Sequence, residues 1–353
     1  MKNFKIRIIF LVIAIGFALF FSNDFGIIDI EKTAIITALA IDKTENEYEI
    51  TVQVAMPQSK NTAAKNEKAV LSTKGSTISS AINQIGSLTG WYPKLSFCNL
   101  IIIGNDLLED NIINLINYFT QTLNVQDSTL LALSEDKAKP LLSTESPLDD
   151  LSSFAIQKIL LKKTGLNNDI MDTDIKSFSI GYYGKSECSY IPLIKVLKPD
   201  DAEKPDDLSN KKGESSSGQS SEEGSEKQSS SGEGGGDQNK SNVFDATTTI
   251  LFKKGKKVDS LEKDETFTVN LFTSSVKHSN IEINNVEYQG ENFNVLLNII
   301  NVKESIKLLF ENGKPKALFN LDVLVKINDQ NSTSTDLQTQ NKTFVPEEIC
   351  KKA

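Results

Sequence analysis

TAIITALAI over residues 33–41 and YEITVQVAM over residues 48–56, joined by the polar turn Asp42-Lys-Thr-Glu-Asn46, decide how this chain folds. In the second segment Tyr48, Ile50, Val52, Val54 and Met56 alternate with Glu49, Thr51 and Gln53. That is the period-two pattern of a strand with one face buried and one face wet. The first segment is apolar at nearly every position, and the turn between them is short enough for a hairpin. The pair is expected to be antiparallel and to anchor a sheet.

Downstream, helices and strands alternate. Ser76 reads as an N-cap, with Ile78, Ala81, Ile82, Ile85 and Leu88 at helical spacing behind it and Gly90 at the C′ position. Phe97–Ile103 is a continuous apolar strand ended by Gly104. Asn111–Gln121 is an amphipathic helix through Ile112, Leu115, Ile116 and Phe119. Ser128–Leu133 is a strand, Leu151, Phe154, Ala155 and Ile159 mark a third helix, and Tyr190–Val196 closes the region as a last strand. Such alternation predicts helices packed on a mixed sheet.

Pro199–Asn242 interrupts this order. Its only aliphatic residues are Ala202 and Leu208, and eleven acids against five lysines leave it at −6 of the chain's net −9. A segment of that composition buries too little surface to offset its ordering entropy, so it is expected to be a disordered linker. Beyond it, Thr247–Phe252 reads as a strand, Lys253-Lys-Gly-Lys256 as a turn, and Glu262–Phe272 as a short helix through Phe267 and Leu271. Three strand runs follow, Asn292–Val302, Ser305–Glu311 and Ala317–Ile327, with the hairpin signal Asn312-Gly313 between the last two. The fold class is α+β. It comprises a segment 1–28, a mixed-sheet α/β domain over 29–198, a linker over 199–242 and an antiparallel α+β domain over 243–353.

Upstream of the hairpin, Ile8–Phe21 is an unbroken apolar run preceded by Lys2, Lys5 and Arg7. Positive charge stays on the cytoplasmic side, which places everything after residue 22 on the other side of a membrane. The run is shorter than the roughly 17–25 residues of a comfortable spanning helix and suits a secretory signal as well. Phe20-Phe21-Ser22-Asn23-Asp24 offers no small-x-small cleavage site, so the run reads as an uncleaved anchor. Its anchoring side chains are Ile8, Ile9, Phe10, Leu11, Val12, Ile13, Phe17, Leu19, Phe20 and Phe21.

The residues offer no constellation for catalysis. His278 is the sole histidine, without spaced partners for a metal or a GxSxG for a triad. Asp149-Asp150 and Glu347-Glu348 sit where helix N-termini are expected, and the helix dipole accounts for them. No phosphate-binding glycine motif occurs, and no basic stripe exists to displace counterions from nucleic acid. The sequons at Asn331 and Asn341 are what an Asn/Thr-rich stretch produces by chance. Cys98, Cys188 and Cys350 are too few and too odd for a disulfide framework. Cys98 reads as a buried inert thiol, with a Cys98–Cys188 bridge left open. Trp91-Tyr92 before Pro93 either caps the core between helix and strand or forms an exposed partner contact.

IEKTAIITALAIDK (30–43) followed by YEITVQVAMP (48–57) resembles the opening of Ger(x)C-type spore germination proteins, the C subunits of nutrient germinant receptors in spore-forming Firmicutes. Pro93-Lys-Leu-Ser-Phe97 with Asn99-Leu-Ile-Ile-Ile-Gly104, Tyr190-Ile-Pro192, and Thr249-Ile-Leu-Phe-Lys-Lys254 with Lys257–Leu261 resemble further family motifs in the family's order. The resemblance spans residues 29 to 345 and implies a non-enzymatic subunit without cofactor or metal. It further implies a place on the outer face of the inner spore membrane beside permease-like A and B subunits. A free-standing extracytoplasmic scaffold of the same fold is the alternative. Two departures stand out. Asp24-Phe25-Gly26 lies where the family carries a lipobox cysteine followed by Trp-Asp, so the apolar run must serve as anchor; Asn99 also replaces a common histidine. The chain ends near Pro346, where the family continues into a long helix, so the strands from 292 to 327 are expected to expose apolar surface.

Overall fold

The computed structural model describes residues 2–22, 32–44, 46–55, 69–122, 125–146, 149, 151–161, 169–197, 243–273, 279–288 and 291–330. The expected linker over 199–242 lies outside them, as do Asp150, His278, Asn331, Asn341, Glu347, Glu348 and Cys350.

Strands β1 (Thr33–Lys43) and β2 (Tyr48–Ala55) form the expected antiparallel hairpin, with Ile36 opposite Val54, Leu39 opposite Val52 and Lys43 opposite Tyr48. β3 (Ala69–Gly75) extends the sheet beyond β2. On the other side of β1 lie β5 (Leu100–Ile103), β6 (Leu130–Ser134) and β7 (Cys188–Leu197), each parallel to its predecessor. A short strand, β4 (Tyr92–Lys94), pairs parallel with the first residues of β1. Parallel neighbours need crossovers, and helices supply them. They are α2 (Ile78–Thr89), α3 (Ile112–Thr122), α4 (Lys139–Ser143), α5 (Ser152–Leu160) and α6 (Ile175–Tyr183). Helix α1 (Lys2–Ser22) precedes them all.

The sheet is covered on both faces. On one, Ile36, Leu39, Ile41, Ile101 and Ile103 pack with Ile82, Ile85, Ile116, Phe119 and Phe178. On the other, Ala38, Ala40, Leu100 and Ile102 pack with Leu141, Leu142, Ile156 and Leu160. Ile36 and Ala38 are two apart yet belong to opposite layers. A register shift between them makes Thr37 a bulge residue. Its hydroxyl donates to the Gln53 carbonyl at 3.1 Å, and its own carbonyl accepts from Asn99 N–H at 3.0 Å.

Double coverage overturns the wet-face reading of β2. Glu49, Thr51 and Gln53 are all buried. Burial of a polar side chain is tolerable only with partners, and each has them. Gln53 Nε2 donates to the Leu142 carbonyl at 3.2 Å and to Ser152 Oγ at 3.0 Å, while its Oε1 accepts from Ser153 N–H at 3.1 Å. Thr51 pairs with Ser72 at 2.8 Å, and Glu49 accepts from Lys139 Nζ at 2.7 Å.

Smaller corrections follow the same logic. Thr77, not Ser76, caps α2, its hydroxyl accepting from Ser80 N–H. Leu88 and Phe97, read as core positions, are exposed, and β5 starts only at Leu100. On α5 the buried face runs through Ala155, Ile156 and Leu160, so Phe154 points outward and Leu151 is the N-cap.

Tyr190–Val196 does not close the sheet, and residue 243 does not open a separate one. β8 (Val243–Lys253) pairs antiparallel along β7, Leu197 opposite Val243 and Cys188 opposite Lys253, and β9 (Lys256–Leu261) follows. Phe244 and Ala246 enter one core layer, Ile250 and Phe252 the other. The open edge of β7 and the alternating apolar residues of β8 complete each other. The sheet therefore has nine strands, parallel at its centre and antiparallel at both flanks.

Helix α7 (Lys263–Thr273) lies where a short helix is expected. Its Thr266 hydroxyl meets Thr249 of β8 at 3.5 Å, while Leu271 packs with Ile299, Phe267, Leu321 and Val323 against the second sheet. That sheet is the antiparallel series β10 (Ser279–Tyr288), β11 (Glu291–Glu311) and β12 (Lys314–Gln330). The expected runs 292–302 and 305–311 form one strand. Asn312 and Gly313 take left-handed conformations, φ 52° and 75°, as a primed hairpin turn requires.

Candidate functional site

The end of the main sheet where β1 and β5 finish carries a cluster of ionic contacts. Asp42 is fully buried, and its two oxygens accept from Ala138 N–H at 2.6 Å and Lys139 N–H at 2.9 Å at the start of α4. Burial pushes its carboxyl above the ordinary range, against the lowering effect of those two donors. Asp106 accepts from Lys43 N–H at 3.0 Å, Lys43 pairs with Asp110, and Lys139 pairs with Glu49. Gly104 sits between the two carboxylates, and a Cβ there would collide with both. Each carboxylate oxygen of Asp42 accepts a backbone N–H, so this side chain fastens the start of α4 to the sheet. Among the described residues no three His, Cys, Asp or Glu side chains are placed to hold a metal.

Cys98 is buried, its thiol pushed up to about 12 by burial and donating to the Leu100 carbonyl at 3.4 Å. Cys188 is exposed, and both are free thiols. The bridge left open by the sequence does not form.

The opposite end of β1 is different in kind. Gly90 ends α2 at φ 72°, its N–H returning to Gly86 O at 2.8 Å, and the turn carries Trp91 and Tyr92 to the surface at 47% and 53% exposure. Phe97 is 51% exposed and Leu88, on the last turn of α2, 72%. The Lys94 ammonium lies 5.8 Å from the Phe97 ring centre, within cation–π range. A groove of about 630 Å³ is lined by Ile82, Asn83, Gly86, Trp91, Tyr92 and Leu95 among others. A second groove of about 580 Å³ lies between α2 and α3, around Tyr48, Thr77, Asn114 and Tyr118. Trp91 and Tyr92 thus stand in the open. Leu88 and Phe97 join them at the surface, which apolar spacing alone assigned to the core.

The amino-terminal apolar run, expected to serve as an anchor, lies on α1. The side chains of Ile8, Ile9, Phe10, Leu11, Val12, Ile13 and Phe17 are exposed; Leu19, Phe20 and Phe21 belong to the same helix. Among the described residues no helix is long and apolar enough to cross a membrane. A second apolar surface is the far part of the β11–β12 hairpin. There Ile306, Leu308, Phe310, Leu318 and Phe319 are exposed, whereas Val295, Leu297 and Ile299, in the near part of the strands expected to be exposed, are buried.

Comparison with known proteins gives this geometry a family. Residues 26–196 match the profile of the spore germination protein N-terminal domain, and residues 247–352 that of the spore germination B3/GerAC-like C-terminal region. Together they cover more than three quarters of the chain. No curated protein matches. A solved structure titled "Crystal Structure of the GerBC protein" aligns over 88% of this chain and 78% of that one, at 17% identity and a TM-score of 0.41. Two profiles from one kind of protein, in the order in which the motifs occur, identify the chain: it belongs to the Ger(x)C family of spore germination proteins.

Proposed function

We propose that this protein is a non-enzymatic, membrane-anchored subunit of a spore nutrient germinant receptor, held by α1 to the outer face of the inner spore membrane. The observation that carries this reading is the paired family match over residues 26–196 and 247–352. The exposed apolar surface of α1 supports the anchor, since a helix greasy on all sides needs either a core or a lipid around it. Asp42 is engaged by two backbone N–H groups, which suits a structural role for that residue. Permease-like A and B subunits are the partners, with nutrient recognition and ion passage expected of them.

The test is affinity capture from detergent-solubilised spore membranes. Recovery of multispan permease-like subunits is the expected outcome. Recovery of neither, together with an unaltered germination response in a deletion strain, overturns the receptor reading. It would favour the free-standing scaffold, to which the residues Asp24-Phe25-Gly26 in place of a lipobox cysteine lend their weight.

A further inference from the structure

We propose that Leu88, Trp91, Tyr92 and Phe97 form a lipid-facing surface that seats the main domain on the headgroup layer of the bilayer holding α1. The inference rests on the anchored reading and goes beyond it. The anchor alone would leave the domain free to tumble, whereas this surface gives it an orientation.

Position is the first argument. β4 places Tyr92 beside Thr33, Pro93 beside Ala34 and Lys94 beside Ile35, at the point where the chain arrives from α1. The link over residues 23–32 spans at most about 35 Å when fully extended. β1 runs away from this point for eleven residues, roughly 35 Å of strand. The aromatic end is therefore where the tether enters the domain, and the ionic end around Asp42 and Lys43 lies one strand length along β1 from that point.

Chemistry is the second. Tryptophan and tyrosine concentrate at membrane–water interfaces because their rings are apolar and their N–H or O–H is polar. Here one of each lies in the same ten-residue stretch as Leu88 and Phe97, all four about half exposed or more. The Lys94 ammonium lies over the Phe97 ring, which puts a cation beside the aromatic side chains, where lipid phosphate would meet it. Asn83, Ser87 and Ser96 line the adjoining groove with groups suited to the hydrated headgroup layer rather than to hydrocarbon.

Trp91 is the chain's only tryptophan, so it reports on itself. Full-length protein is reconstituted into vesicles of phosphatidylcholine and phosphatidylglycerol, with and without lipids brominated near the headgroup. The expected result is flotation with the vesicles, a blue-shifted Trp91 emission, quenching by the brominated lipid and protection from aqueous iodide. The double variant Tyr92→Ser with Phe97→Ser, both at exposed positions, is expected to float equally well and to lose much of the lipid quenching. If the protein floats but Trp91 is quenched by iodide and not by bromolipid, the proposal is overturned and the anchor stands. If it fails to float, both fall. Protection from iodide that arises only when spore-membrane proteins are added assigns the surface to a protein and overturns the proposal. Lipid quenching unchanged in the double variant removes Tyr92 and Phe97 from the seat and equally overturns it.

Discussion

Asp42 and Cys98 show how burial changes the chemistry of single side chains in this fold. Asp42 holds the start of α4 with two oxygens, yet its carboxyl is raised from its ordinary value near 3.8 because burial penalises the charge more than the two N–H groups reward it. A carboxyl raised on folding binds its proton more tightly in the folded state. Stability from this group is therefore greatest at low pH and is lost as pH climbs from about 3.8 through the elevated folded value. The Asp42→Asn variant lacks that titration. Its amide can accept only one of the two N–H groups, so it is destabilised by about 1–3 kcal/mol. The gap between wild type and variant should narrow as pH rises, read from urea midpoints at pH 4 to 7; a gap that widens contradicts the assignment. Cys98, with a thiol pushed up to about 12, has about one part in a hundred thousand as thiolate at neutral pH. In a Cys350→Ser background a maleimide should label Cys188 quickly and Cys98 only on unfolding. Fast native labelling of two thiols would show that the core around Cys98 opens.

At the scale of elements, the local rules worked where the element depends on its own residues. The Asn312-Gly313 turn, the Gly90 cap and the β1–β2 hairpin all follow from backbone chemistry within a few positions. Where a face must be assigned, the same rules erred. The alternation in β2 says that two faces differ, but α4 and α5 decide that the polar face is also buried. The grip of Gln53 on Leu142, Ser152 and Ser153 comes from residues about ninety to a hundred positions away. Short elements such as β3, α4 and α6 carry no strong period and escape notice for that reason. The far hairpin of β11 and β12 exposes Leu308 at 76% and Phe310 at 79%. Apolar side chains on an open ribbon invite association between chains. Leu308→Thr with Phe310→Thr should reduce self-association in sedimentation velocity and leave stability within about 0.5 kcal/mol. A large loss of stability would show that these side chains are packed rather than free.

On the scale of the whole molecule, the main sheet is built from both sides of the segment 199–242, because β8 lies along β7 and places Phe244, Ala246, Ile250 and Phe252 in its two core layers. The family profiles divide the chain at that segment, and the sheet does not. If a protease site is engineered into 199–242 and cut, the two fragments should co-elute in size-exclusion chromatography and separate only in denaturant. Fragments that part under native conditions would mean that β8 contributes little to the fold. The same pairing explains why an amino-terminal piece ending at residue 198 should be poorly soluble: β7 would present an unpaired edge.

The sequence by itself determined the hairpin at the start of the sheet, the apolar run that became α1, the primed turn at Asn312-Gly313, and the ordered motifs that the family profiles match. Each is written in contiguous residues, where periodicity, turn chemistry and composition act over a few bonds. Only the tertiary structure decided that both faces of β2 are buried, that the strand after residue 242 returns to the first sheet, and that Leu88 and Phe97 stand in the open with Trp91 and Tyr92. Those outcomes depend on which distant surfaces meet. A pattern of apolar side chains says that a face needs covering, and the rest of the molecule determines whether it is covered and by what.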